Sequence, residues 1–336
     1  MVNGWGVDAR YYAVKERRQS GASGLERRLA KLLQSYSPDA REKVERAFKQ
    51  WNLILRDYLR TETGLRLSVG DETQTVMVKV KDGLPQPFSD MLSDYERYIE
   101  LLLILPRLKA AQSGLEEVVK NHDALCSVIA PQRELGDGIP TLDEVITVRK
   151  FLSDAVGRLE RMDLLNKFAQ IEEDTLGAYF YRLPEIQLFW MPIAFVAALL
   201  TVPVEALAAV VLAHELAHAY THLGRDIDGN RWELENFAAA DLFIVEGLAQ
   251  FYTSVICKKL EMRYPAAVDA FDKLLAQQSG PYRAHEEWAK DHHARGEVVR
   301  ACMIKCRSQG FIEYPELIEE MRSTEKELAR SKGSRP

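Results

Sequence analysis

A long apolar stretch from Leu188 to Ala213, whose only polar side chains are Thr201 and Glu205, constrains the fold most strongly. Its length approaches the roughly 20 residues that cross a bilayer. Pro192 and Pro203 interrupt it, as do the two polar residues. The pattern therefore favours two buried helices over one membrane span, and we expect no stable membrane insertion.

Charge and cysteine usage narrow the function classes. The 336 residues carry a net charge of −6, which does not suggest a nucleic-acid-binding protein, although residues 1–60 hold 13 basic and 7 acidic residues. Such a basic helical segment is usually a solvated face. The four cysteines form no CxxC pair, and Met1–Arg18 lacks the apolar core of a signal peptide, so we expect a cytoplasmic protein with reduced thiols.

Local patterns predict several other elements. Thr201 has the character of an N-cap for the second apolar helix, which would end before Gly224. Partial alternation in Leu65–Val69 and Thr75–Val80 predicts a small hairpin. Glu185–Trp190 predicts a short strand, and we interpret it as an edge strand that could bind a peptide by strand addition.

The second apolar helix carries the string His214-Glu215-Leu216-Ala217-His218. Residues four apart on a helix are separated by about 6 Å along the axis and about 40° around it, so both imidazoles can point at one ion. Glu215, about 100° from His214, can instead hold a water bound to that ion. Two imidazoles, a carboxylate and a water suit zinc, so the sequence predicts one Zn²⁺.

The third ligand is less obvious. His222 lies about 12 Å along the helix from His214, too far for one ion to bond both, so we interpret it as a residue that orients a neighbour or lines the cleft. A downstream carboxylate is the alternative. The candidates lie in the predicted helical stretch Trp232–Leu260, which we expect to be broken near Gly247, and they are Glu233, Glu235, Asp241 and Glu246.

The His-Glu-Leu-Ala-His string together with Val245–Tyr252 resembles the gluzincin metallopeptidases of the peptidase MA-like type, whose second motif reads roughly E-G-x-A. The resemblance covers Glu185–Ser254. It implies that Glu246 is the third zinc ligand and that Gln250 supports the site. Glu235 is the rival ligand, because Glu235–Ala239 faintly resembles the glutamate motif of cytoplasmic peptidase-like proteins that act on repressors.

Three further residues are candidates for roles near the metal. Asp228 lies in a turn and could orient the metal-binding histidines. Gluzincin-like sites take a tyrosine or histidine from a later segment to stabilise the oxyanion that forms during amide hydrolysis, and this implies such a role for Tyr282 and His285.

These observations predict a mainly α protein with a small β element (α+β). We expect a frayed N-terminus (1–24), a helical N-terminal region with the hairpin (25–170), a zincin-like catalytic region (177–300), C-terminal helices (301–330) and a tail (331–336).

The predicted function is zinc-dependent hydrolysis of peptide bonds in a peptide or protein substrate. Zinc held by His214, His218 and Glu246 would polarise the carbonyl, and Glu215 would act as general base. Two alternatives stay open: a regulatory zincin-like protein that acts on one cellular partner, and a non-catalytic zinc-binding scaffold.

Overall fold

A computed structural model describes residues 24–67, 76–129, 140–164, 167, 175–278, 280–292, 296–309 and 313–333. The chain is mainly α-helical with a small three-stranded sheet, as predicted. The α-helices within the described residues are, in chain order, α1 (Gly24–Tyr36), α2 (Ala40–Thr63), α3 (Gln86–Ser93), α4 (Ile99–Lys120), α5 (His122–Ile129), α6 (Leu142–Glu160), α7 (Trp190–Leu200), α8 (Val204–Leu223), α9 (Leu234–Ala239), α10 (Leu242–Leu260), α11 (Pro265–Leu275), α12 (Ala284–His292), α13 (Gly296–Gln309) and α14 (Tyr314–Gly333). The strands are β1 (Met77–Lys81), β2 (Gly177–Phe180) and β3 (Glu185–Phe189).

The apolar stretch forms two buried helices, α7 and α8, as predicted. Thr201 is not the N-cap of α8, however. It adopts a left-handed conformation at the end of α7, and Pro203 precedes the first turn of α8. No single described helix is long and apolar enough to cross a membrane; α7 and α8 pass that test only as a pair, bent by 120°.

Helix α8 lies at the centre of the molecule. It is largely apolar and is buried around its whole circumference, as expected of a helix surrounded by protein. Helices α2 and α10 form its most extensive contacts, with β2, α7 and α11 also against it. One hydrophobic core includes residues from Leu25 to Met321, so the N-terminal helices pack directly on the helix that carries the predicted metal site.

The sheet has the strand order β1-β3-β2. Strand β1 is parallel to β3, with Met77 opposite Glu185, and β2 is antiparallel to β3, with Gly177 opposite Leu188. The hairpin prediction is therefore wrong for the described residues, because β1 pairs with β3. Part of it, 68–75, lies outside the described residues; Arg66 forms an isolated bridge with Arg225.

The strand at Glu185 is also not an edge strand, because β3 is central and β1 and β2 flank it. At the C-terminus, α14 continues to Gly333, so residues 331–333 are helical and do not belong to a tail. Of the predicted N-terminal segment 1–24, only Gly24 is described, as the first residue of α1.

The stretch Trp232–Leu260 is broken at Ala240–Asp241, and Gly247 lies within α10. Asp241 caps the N-terminus of α10, where its Oδ1 accepts a 2.9 Å hydrogen bond from the backbone N–H of Phe243. A Cβ on Gly247 would lie 2.7 Å from Cζ2 of Trp288. Glycine at this position therefore lets α12 pack closely on α10.

Candidate metal centre

Three buried side chains converge between α8 and α10. His214 and His218 come from α8, and Glu246 comes from α10. The His214 Nε2 to His218 Nε2 distance is 3.1 Å, and Glu246 Oε2 lies 3.2 Å from His214 Nε2 and 3.4 Å from His218 Nε2. Each residue offers one ligand atom, and these three residues are the only such group of His, Cys, Asp and Glu found among the described residues.

This triangle has the dimensions of one face of a tetrahedral metal site. Metal bonds of about 2.0–2.1 Å place neighbouring ligands of a tetrahedron roughly 3.3–3.4 Å apart. The observed separations of 3.1, 3.2 and 3.4 Å match that spacing. The three residues can therefore hold one metal ion and leave a fourth position for water or substrate.

Gln250 fixes the orientation of the His214 ring. Its Nε2 donates a 2.7 Å hydrogen bond to Gln278 Oε1, so its own Oε1 faces His214 Nδ1 at 2.9 Å. An amide oxygen can only accept, so His214 Nδ1 carries the proton and its Nε2 presents a lone pair. In a metal site, a partner of this kind sets the tautomer of a histidine ligand.

The negative charge of Glu246 favours binding of a cation at this centre. Burial opposes ionisation of Glu246, but the adjacent His218 and His214 outweigh it and hold the pKa of this carboxyl well below its usual range. Glu246 is only 3% exposed. A buried carboxylate beside two imidazoles is thus present in its ligating form at neutral pH.

Glu215 is buried next to the ligands, and strand β2 passes directly against it. A Cβ on Gly177 would lie 2.9 Å from both Cγ and Oε1 of Glu215 and 2.7 Å from Cγ1 of Val211. The glycine therefore lets the β2 backbone approach the Glu215 carboxylate closely. Glu215 is 2% exposed, which confines its side chain to this space.

Tyr282 and His285 both lie beside the centre. The Tyr282 ring centroid is 5.9 Å from that of His214. His285 Nδ1 donates a 3.1 Å hydrogen bond to the Tyr282 carbonyl, and burial lowers the pKa of His285.

The other predicted residues lie away from the centre. The Nδ1 atom of His222 shares a 2.9 Å hydrogen bond with the Tyr179 hydroxyl, and its ring stacks on Phe237, so His222 belongs to an aromatic cluster and neither orients a ligand nor lines the cleft. Asp228 is exposed in a turn, where its backbone N–H bonds to Asp226 Oδ1. Glu235 is exposed on α9, and the group of side chains that could hold a metal ion contains Glu246 instead.

We expect the buried His222 to make the free energy of unfolding depend on pH. Burial lowers the pKa of His222 to about 3, while the unfolded chain has an ordinary histidine pKa near 6.5. Below pH 6.5 the unfolded state binds a proton that the folded state does not, so this residue's contribution to stability is present above that pH and is lost as the pH falls towards 3. Between pH 6.5 and 5 it should lower the free energy of unfolding by up to about 1.4 kcal/mol per pH unit.

Urea unfolding of the wild type and of His222→Asn at several pH values measures this slope. The asparagine amide retains both a donor and an acceptor for Tyr179 but does not titrate. We expect a shallower pH dependence in the variant over this window. Equal slopes in the two proteins would contradict the assignment.

Sequence reasoning missed two residues that shape the site, Gly177 and Trp288. The predicted catalytic region begins at Gly177, but no neighbouring residue in the sequence indicates that this glycine faces Glu215. Trp288 follows the candidate pair Tyr282 and His285, and its packing on Gly247 holds α12 against α10. A large apolar residue in a polar segment was the available signal.

No family model, curated protein or solved structure matches this chain. Its function is therefore inferred from the geometry and chemistry of the site.

Proposed function

We propose that this protein is a zinc-dependent metallopeptidase of the gluzincin type. The observation that carries the proposal is the buried triangle of His214, His218 and Glu246, with a second buried carboxylate, Glu215, next to His214 on the same helix. Two imidazoles and one carboxylate with an open fourth position form a set of ligands typical of catalytic zinc.

Each residue then has a distinct role in hydrolysis. A zinc ion at the triangle would polarise the substrate carbonyl and lower the pKa of a water molecule. With zinc bound, Glu215 would serve as the general base that takes a proton from water and passes it to the leaving amine. Tyr282, whose ring lies 5.9 Å from His214, donates to the oxygen on which negative charge develops. His285 bonds to the Tyr282 backbone and positions that turn.

We further propose that an extended peptide substrate binds along one edge of the sheet. Strand β2 is an edge strand of the described sheet and runs against α8 at Glu215. A peptide that added to this edge would place its backbone beside the proposed base, with main-chain hydrogen bonds supplying affinity without regard to sequence. We assign this role to β2 because β3 is enclosed by the other two strands.

Hydrolysis itself tests the proposal. The zinc-loaded protein, incubated with a proteome-derived peptide library, should generate new amino termini that mass spectrometry detects. Removal of the metal with a chelator should abolish them, and stoichiometric zinc should restore them. A protein that binds zinc but cleaves no library peptide would contradict a general peptidase and favour the scaffold or single-partner alternatives.

A further inference from the structure

A cavity of about 650 Å³ lies on the side of α8 facing away from the metal ligands. Tyr220 of α8 lines it, two residues and therefore about 200° beyond His218 around the helix. The remaining walls come from α2 and the segment after it. They are formed by Leu53, Arg56, Asp57, Arg60, Thr61, Gly64, Arg66 and Leu67.

The lining is strongly basic. Among the described residues, the lining contains three arginines, Arg56, Arg60 and Arg66, and one acid, Asp57, which pairs with Arg60. Within the described residues neither Arg56 nor Arg66 has a carboxylate partner. Arg300 from α13 packs against Gly64 and adds positive charge near the rim.

Arg56 is held in place by neutral groups. Its Nε donates to Asn52 Oδ1 at 2.9 Å and its Nη2 donates to the Val76 carbonyl at 2.7 Å. The Tyr220 hydroxyl in turn donates to the backbone carbonyl of Arg56 at 2.8 Å. The guanidinium is half-buried, and this desolvation lowers the pKa of Arg56. A charge withdrawn from water in this way is costly unless an opposite charge compensates it.

We propose that this cavity binds a phosphorylated small molecule through Arg56, Arg60 and Arg66. The three arginines and one aspartate of the described lining have a formal charge of +2, which a phosphate monoester dianion balances. Guanidinium groups suit phosphate because their planar donors bond two of its oxygens at once, and a tetrahedral anion accepts from several directions.

The size of the cavity favours an organic phosphate over the bare ion. Small-molecule sites typically measure about 300–1,000 Å³, far more than a phosphate needs. Leu53, which is 76% exposed, and the partly buried Leu67 also line the cavity. These side chains can cover a base or another flat group attached to the phosphate.

Isothermal titration calorimetry on the full chain tests the proposal with two probes, inorganic phosphate and adenosine 5′-monophosphate, at an ionic strength held constant with chloride. We expect one site with a dissociation constant below about 1 mM for the nucleotide and weaker binding of phosphate. Arg60→Gln and Arg66→Gln should each weaken binding about tenfold or more, the effect of losing a hydrogen bond to a charged group. Both side chains are exposed, so these variants should fold.

Arg27→Gln on α1 is the matched control, because Arg27 is an exposed arginine outside the cavity and should leave affinity unchanged. The proposal is overturned if neither probe binds, if Arg60→Gln and Arg66→Gln bind as well as the wild type, or if Arg27→Gln weakens binding equally. Binding of phosphate more tightly than the nucleotide would overturn the assignment of an organic ligand. Because the substituted arginines lie outside the metal centre, the result does not depend on peptidase activity.

Discussion

Glu215→Gln should bind zinc as tightly as the wild type and lose hydrolysis. Glutamine has the volume of glutamate, so it fits the space that Gly177 leaves beside α8. It cannot accept a proton from water, however, and general-base catalysis typically contributes about 100- to 10,000-fold to turnover. We therefore expect kcat/KM to fall by a factor in this range while metal content, measured by mass spectrometry, stays at one zinc ion per chain.

Glu205→Gln is the matched control for this substitution. Glu205 lies on the same helix but at its first turn, where it pairs with Arg46 at 3.2 Å on the surface. An exposed pair of this kind contributes little to stability, so the control should retain both zinc and turnover. Undiminished hydrolysis by Glu215→Gln would exclude Glu215 as the base, and loss of zinc from it would mean that the residue supports the metal.

Glu246→Ala should lose zinc, whereas Glu235→Ala should retain it. Glu246 contributes one corner of the ligand triangle from within 3.4 Å of both histidine nitrogens, and Glu235 is exposed on a separate short helix. Removing residues that only support a metal site costs about 10- to 100-fold in affinity, and we expect removal of a direct ligand to cost more.

Competition with a chelator of known affinity measures both constants. Glu246→Gln provides a variant of conserved volume, in case the alanine leaves the two imidazoles without a buried partner and the protein fails to fold. Full zinc occupancy in both Glu246 variants, with loss of zinc in Glu235→Ala, would reverse the assignment.

The helical part of the site follows from the sequence because its geometry is local. Two histidines four residues apart share one face of any helix, and the apolar residues around them make α8 a buried helix. The choice of Glu246 rests on non-local packing of α10 against α8, and only the resemblance pointed to it. Asp241 was an available signal that Glu235 and Glu246 lie on different helices, since aspartate is a strong N-cap.

The sheet could not be predicted in the same way. Alternation around residues 75–80 correctly indicates a strand, but β1 pairs with β3, where Met77 lies opposite Glu185. Local alternation determines which face of a strand is buried and does not identify its partner. For the same reason the contact between Gly177 and Glu215, which brings the β2 edge to the site, has no counterpart in the sequence pattern.

Crystals grown with one equivalent of zinc, measured with X-rays at the zinc absorption edge, would show whether and where this protein binds zinc. We expect one anomalous peak about 2.0–2.2 Å from Nε2 of His214, Nε2 of His218 and a carboxylate oxygen of Glu246. Histidine rings that diverge with no peak between them, or a peak bound by Glu235, would contradict this expectation.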